Sequence, residues 1–243
     1  MIDTHAHLDA LDDPPAALAR ARAAGVTRVI AIGSGLASAR ATVDLAEGED
    51  GVLVAIGLHP HQAADGESLA DLRALVAGAI AVGEIGLDFY RDYAPRAAQR
   101  RVFEAQLQLA DELGKPVIIH TRAAEEETAR MLEGFAGAVI MHCFSAPALL
   151  PVALERGYFV SFAGNVTYPK AGALREAAAR IPRERILAET DCPYLPPQPV
   201  RGKRNEPAFV VHTIAALADL RGENEDDVAR QIDANADAAF ALR

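Results

Sequence analysis

The chain has 243 residues, 51% of them hydrophobic and 24% charged, with a formal net charge of −10 and a pI near 5.2. That length suits one large domain or two small ones and is enough to bury a sizeable core. The acidic balance excludes a basic protein that wraps nucleic acid over a wide surface, but it leaves room for a small phosphate site whose cations are metals.

Short apolar runs alternate with alanine-rich helical patterns from end to end. Strands are predicted near residues 2–5, 28–32, 53–57, 80–84, 116–120, 139–142, 158–162 and 186–189. Between them lie helical stretches such as "PPAALARARAAG", "APRAAQRRVFEAQLQLADELGK" and "KAGALREAAARI". Pro14 and Pro95 stand where first turns begin, and Gly25 and Gly114 where helices are expected to end. Continuous apolar strands alternating with helices imply a parallel sheet covered by helices. Eight such units predict an α/β fold, a distorted (β/α)8 TIM barrel spanning residues 1–243 as a single domain, with a doubly wound open sheet as the competing topology.

Three segments stand outside this rhythm. Residues 134–154 are uncharged but carry His142, Ser145, Pro147 and Pro151, so they read as a buried strand, a turn and a helix start rather than a membrane span. The polar run "CPYLPPQPVRGKRNEP" after the eighth strand is a long loop, expected on the barrel face where active sites sit. The closing run "ENEDDVARQIDANADAAFAL" is patterned as an amphipathic helix or helix pair that closes the barrel. Cys143 and Cys192 are the only cysteines, too few for a disulfide framework or a cysteine-type zinc site, so a reducing cytoplasm is expected. Both are read as packing residues. No basic segment followed by an apolar core opens the chain, so no signal peptide and no membrane partner are expected.

The strand endings carry the chemistry. Residues two apart on a strand point to the same side, so His5 and His7 in "DTHAHLD" face one way. "AVGE" stops at Glu84, "PVIIH" at His120, "VIMH" at His142 and "ILAETD" at Asp191. Any one of these is ordinary as a polar cap. Six from five strands, all at one edge, are better explained as ligands of divalent ions such as zinc or manganese. Six exceed the three or four protein groups of a single open site, so two ions are expected, with Glu84 as the bridge. Of the lysines, Lys115, Lys170 and Lys203, none ends a core strand, so the bridge must be an acid. Two ions about 3.5–4 Å apart can activate a water and clamp an in-line displacement at phosphorus.

With these residues assembled, the sequence resembles the TatD family of metal-dependent deoxyribonucleases, within the amidohydrolase-like barrels. The resemblance rests on "DTHAHLD", "IGLHPH", "GEIGLDFYR", "QRRVFEAQLQLADELGKPVIIHTR", "HCFS", "GNVTYPKA", "ETDCPYLPP" and "RGKRNEP", in that order. It implies a distorted barrel that hydrolyses DNA phosphodiesters, with single strands preferred and 3'-5' exonuclease action, as a cytoplasmic monomer working in DNA repair. It also implies that His5, His7, Glu84 and Asp191 hold one ion and Glu84, His120 and His142 the other, the metal being magnesium, manganese or zinc. One departure is Ala146, where the family usually has glycine, so the turn after His142 is expected to differ.

Glu84 and Asp191 are the catalytic candidates, Asp191 orienting or deprotonating the attacking water. His59, His61, Arg91, Arg122, Arg201 and Lys203 are candidates for holding phosphate oxygens. Asp88 either orients a ligand histidine or caps the following loop, and Tyr90 either stacks on a base or is simply exposed. Asn205 and Glu206 are placed to pin the long loop, and His212 reads as helix filler. A rival hydrolase would attack carbon instead, as in removing a D-amino acid from tRNA, and the ligands alone do not discriminate. A second rival binds metal and nucleic acid without turnover, against which stands the completeness of the six residues.

Overall fold

The computed structural model describes residues 1–64, 69–91 and 93–242. Eight parallel strands form one sheet in sequential order: β1 (Ile2–Ala6), β2 (Arg28–Ser34), β3 (Val52–Gly57), β4 (Ala81–Asp88), β5 (Val117–Arg122), β6 (Val139–Met141), β7 (Phe159–Phe162) and β8 (Ile186–Ala188). The order never reverses, which removes the doubly wound alternative. Closure comes just past β8, where Asp191 N donates to His5 O at 3.0 Å and His7 N to Cys192 O at 2.9 Å. The result is a distorted, nearly closed (β/α)8 barrel.

Helices α1 (Pro14–Ala23), α2 (Leu36–Glu47), α3 (Leu69–Gly78), α4 (Arg96–Leu113), α5 (Glu125–Met131), α6 (Leu150–Glu155), α7 (Gly172–Arg180), α8 (Val210–Arg221) and α9 (Glu225–Phe240) cover the outside. Every residue of β1, β4, β6, β7 and β8 is buried. A strand with the barrel interior on one side and helices on the other has no wet face, hence the continuous apolar runs. Asp13 caps α1 by accepting from Ala16 N, and Asn224 caps α9 by accepting from Asp226 N and Asp227 N. The C-terminal run is therefore one helix, α9. The uncharged stretch resolves into β6, a turn and the start of α6. Among the described residues no helix is long and apolar enough to cross a membrane.

Three strands run two or more residues past their expected ends, β2 reaching Ser34. β4 runs on to Asp88 and β5 to Arg122, past Glu84 and His120. Gly86 at φ +140° lets β4 pass β5 so closely that a Cβ would lie 2.0 Å from His120 O. The pairing register shifts between Asp3 and Ala6 in β1, and between Val82 and Ile85 in β4. His5 and Glu84 sit inside these irregularities, which re-aim side chains where a regular pleat would alternate them.

Candidate metal centre

Glu84 is the hub. Its Oε2 lies 3.5 Å from His5 Nε2 and 3.6 Å from His7 Nε2. Its Oε1 lies 2.7 Å from His120 Nδ1, 3.0 Å from His142 Nε2 and 3.3 Å from His59 Nε2. Asp191 joins through Oδ1, 3.6 Å from His7 Nε2. The six strand-end residues therefore converge on one pocket, with imidazoles on both sides of a single carboxylate. His5 and His142 stack with ring centroids 3.8 Å apart.

Several buried atoms there lack a partner. His5 is completely buried, yet neither of its ring nitrogens makes a hydrogen bond, and His120 Nε2 and Glu189 Oε2 are also unpaired. An unmet buried polar atom costs about 1–3 kcal/mol, and a cation would supply the missing partner. Among the described residues, three sets of ligand atoms lie within 4.8 Å of one another: His5, His7 and Glu84; His5, His142 and Glu189; and His59, Glu84 and His120. Imidazole nitrogens with carboxylate oxygens form a donor set that suits divalent zinc or manganese.

Electrostatics prepares the same donors. Burial, reinforced by His142, pushes the His5 imidazole down to about 4. Burial also lowers His7, and brings His59 to about 4. These rings are therefore neutral and free to ligate. Burial opposes charge on Glu84, but His142, His59 and His120 overcome it and hold the carboxyl well below its usual range. His142 is raised well above the usual histidine range despite burial, because Glu84 and Glu189 face it. Asp191 is pushed up to about 8 by burial, with Glu189 and Glu84 adding to the effect against His142.

Glu189, the last residue predicted for the eighth strand, is absent from the candidate ligands. Its Oε1 pairs with His142 Nδ1 at 2.9 Å and accepts from Cys143 N at 2.8 Å. Burial opposes its charge, and His142 restores it below the ordinary range. Its signal was available: in "ETD" it lies two residues before Asp191, on the same side of an extended chain. Asp3, two before His5, accepts from Thr190 N at 2.8 Å and Thr190 Oγ1 at 2.5 Å, tying β1 to the segment that carries Asp191.

Asp88 serves both of the roles open to it. Its Oδ1 caps the following loop by accepting from Tyr90 N at 2.9 Å and Arg91 N at 3.0 Å. Its Oδ2 lies 2.8 Å from His61 Nε2 and 3.4 Å from His120 Nε2. His59 belongs to the Glu84 cluster, whereas His61 stands one step out, against Asp88 and the Tyr93 ring at 4.8 Å. Cys192 is fully buried, but Cys143 is more than packing. It is half-buried at φ +42°, and burial with the Asp191 and Glu189 charges pushes its thiol well up. Ala146 keeps a negative φ of −115°, so the positive φ of this turn falls on Cys143.

The rim is aromatic and cationic. Tyr90, Tyr93 and Tyr194, 64%, 60% and 58% exposed, are the large hydrophobic side chains left in solvent among the described residues, and all three follow strands at the metal-centre end. Arg122 lies over Tyr90 at 4.0 Å, with Arg91 5.7 Å from the same ring and 6.0 Å from Tyr93. Tyr194 meets the edge of His7 at 6.0 Å. Arg201 stacks over Tyr168 at 4.0 Å, and Lys203 is exposed. Neither Arg201 nor Lys203 touches the histidine cluster among the described residues. Arg204 is spent on Asp12. Asn205 pins the long loop by donating to Thr190 O at 2.8 Å and Tyr194 O at 2.5 Å, while Glu206 binds Arg20. His212 stands on α8 beside Phe209.

The profile of the family described as "TatD related DNase" matches residues 2–241. "Uncharacterized metal-dependent hydrolase YabD" of Bacillus subtilis is 37% identical, with 100% of this chain and 99% of that protein covered. "3'-5' ssDNA/RNA exonuclease TatD" of Pantoea ananatis is 39% identical, with 93% of this chain and 92% of that protein covered. The crystal structure of YjjV, a TatD homologue from Escherichia coli, superposes with a TM-score of 0.92 at 31% identity, covering 100% of this chain and 98% of the other. On this sequence match, this fold and this ligand-type pocket, the chain belongs to the TatD family of metal-dependent hydrolases.

Proposed function

We propose that the chain is a two-metal phosphodiesterase that removes nucleotides from single-stranded nucleic acid, DNA foremost, in the 3'-5' direction. The observation that carries it is the split of Glu84: one carboxylate oxygen faces His5 and His7, the other faces His59, His120 and His142. That is the arrangement a carboxylate shared by two ions requires. His5, His7, Glu84 and Asp191 would hold one ion, and Glu84, His120 and His142 the other. Bound there, divalent ions would supply Lewis acidity at the phosphoryl oxygens and lower the pKa of water towards about 7.

The chain's own groups do the rest. Asp191, once a bound ion displaces its own proton, would orient the attacking water or take its proton. Glu189 fixes the ring plane of His142 through its bond to Nδ1, while the Asp88 carboxylate faces His120 Nε2 at 3.4 Å. Arg122 and Arg91, on the same rim, would hold phosphate oxygens of a strand, and the exposed Tyr90, Tyr93 and Tyr194 would stack on unpaired bases. Stacking of this kind tolerates any sequence and favours single strands over duplex. The activity named for the Pantoea ananatis relative agrees with this reading.

The test is release of nucleotides from end-labelled single- and double-stranded DNA after chelation, with magnesium, manganese or zinc added back. Metal-restored release from the single strand is expected, and its loss in Glu84→Gln. Deacylation of aminoacyl-tRNA without nucleotide release would reassign the substrate, and full activity with full metal content in Glu84→Gln would refute the bridge.

A further inference from the structure

At the opposite pole, on the N-terminal rim, lies a cavity of about 420 Å3 between the segments that lead into β6, β7 and β8. Such rims ordinarily carry only short connections that stabilise the barrel. This cavity is lined by two arginines, Arg156 and Arg185, beside the aromatic rings of Phe135 and Tyr158. We propose that it is a binding site for a nucleoside monophosphate, separate from the metal centre.

Arg156 is anchored by the protein's own groups. Its Nη1 donates to Ala129 O at 2.8 Å and reaches Tyr158 Oη at 3.4 Å, while Nη2 faces Glu133 Oε1 at 3.3 Å. Glu133 is largely exposed, and it is the carboxylate that lines the cavity, so the two guanidiniums leave a net positive charge in a chain of net charge −10. Arg185 is freer. Its guanidinium stacks on Phe159 at 4.7 Å and makes one long bond, to Glu184 O at 3.4 Å. Among the described residues no carboxylate lies within ion-pair distance of it. Gly157 stands at its edge, where a Cβ would come within 3.8 Å of Arg185 Nε, so the absent side chain leaves that edge open.

A guanidinium anchored on an aromatic ring with its outer edge bare is a phosphate or carboxylate receptor, because its planar fork matches two anionic oxygens. The volume exceeds what inorganic phosphate needs and lies within the range of small-ligand pockets. The half-buried Phe135 adds ring surface against which a planar base would lie. A ring-bearing monophosphate satisfies all three features together.

The experiment is equilibrium dialysis of the metal-loaded protein with adenosine 5'-monophosphate, beside adenosine and inorganic phosphate. Arg185→Glu and Arg156→Ala are each expected to weaken nucleotide binding at least about tenfold, the scale of one lost charge-assisted pair. Both should leave the hydrolysis of bis(p-nitrophenyl) phosphate unchanged, since neither residue touches the metal centre. If Arg185→Glu does not fold, Arg185→Gln takes its place. Equal nucleotide affinity in the wild type and both variants would place binding elsewhere and overturn the assignment. So would inorganic phosphate or adenosine matching the nucleotide, or no wild-type binding.

Discussion

Gln106, on α4, satisfies both backbone groups of Leu58, the residue before His59. Leu58 N donates to Gln106 Oε1 at 2.6 Å, and Gln106 Nε2 donates to Leu58 O at 3.0 Å. Two turns earlier Gln99 does the same for Asp88, accepting from Asp88 N at 2.9 Å and donating to Asp88 O at 3.0 Å. One helix therefore fixes the two segments that carry His59 and Asp88. Gln106→Leu strands a buried N–H and a buried C=O, at a cost of about 1–3 kcal/mol each. Calorimetry should show a lower Tm, and metal titration a weaker site on the His59 side. An unchanged Tm would mean the clamp contributes nothing.

Metal should stabilise the fold by mass action, because the donors converge only in the native chain. At a free ion concentration of 100 times Kd the gain is about 2.7 kcal/mol. Chelation is expected to lower the Tm of the wild type, and to lower that of His5→Ala much less. An identical Tm with and without chelator would argue against a bound ion.

Metal affinity should climb with pH. The Asp191 carboxyl keeps its proton up to about 8, because burial and the Glu189 and Glu84 charges outweigh His142. Below that pH an ion must displace the proton, so affinity falls by up to about tenfold per unit as pH drops. His142, raised above its ordinary range by Glu84 and Glu189, adds to the same slope. Titrations from pH 6 to 9 should show the rise flattening above about 8, and Asp191→Asn should make it shallower. Affinity independent of pH would contradict the assigned proton.

Tyr90 and Arg122 make a paired surface at the rim. Tyr90→Ala is expected to raise KM for a single-stranded substrate about tenfold, from stacking worth about 1–3 kcal/mol per base, with kcat nearly unchanged. Arg122→Ala should reduce the salt dependence of binding by about one phosphate contact. A fall in kcat with KM constant would instead place these residues in the chemistry.

The barrel was legible because each unit repeats one physical pattern: an apolar strand, a polar exit, an alanine-rich helix. His5, Glu84, His120 and His142 could be singled out because a ligand-type side chain ending an apolar run is conspicuous. Glu189 was hidden behind Asp191, its contribution depending on a contact with His142 across 47 positions of sequence. Gln99 and Gln106 resemble ordinary surface glutamines on an amphipathic helix until the loops they satisfy fold beneath them. The length of β4 was obscured by Gly86, whose bare α-carbon serves close strand contact.

The most direct measurement is anomalous diffraction from crystals loaded with manganese. Two peaks about 3.5–4 Å apart are expected, one on each side of the Glu84 carboxylate. A single peak away from Glu84, or no peak within reach of these histidines, would contradict a shared metal pair.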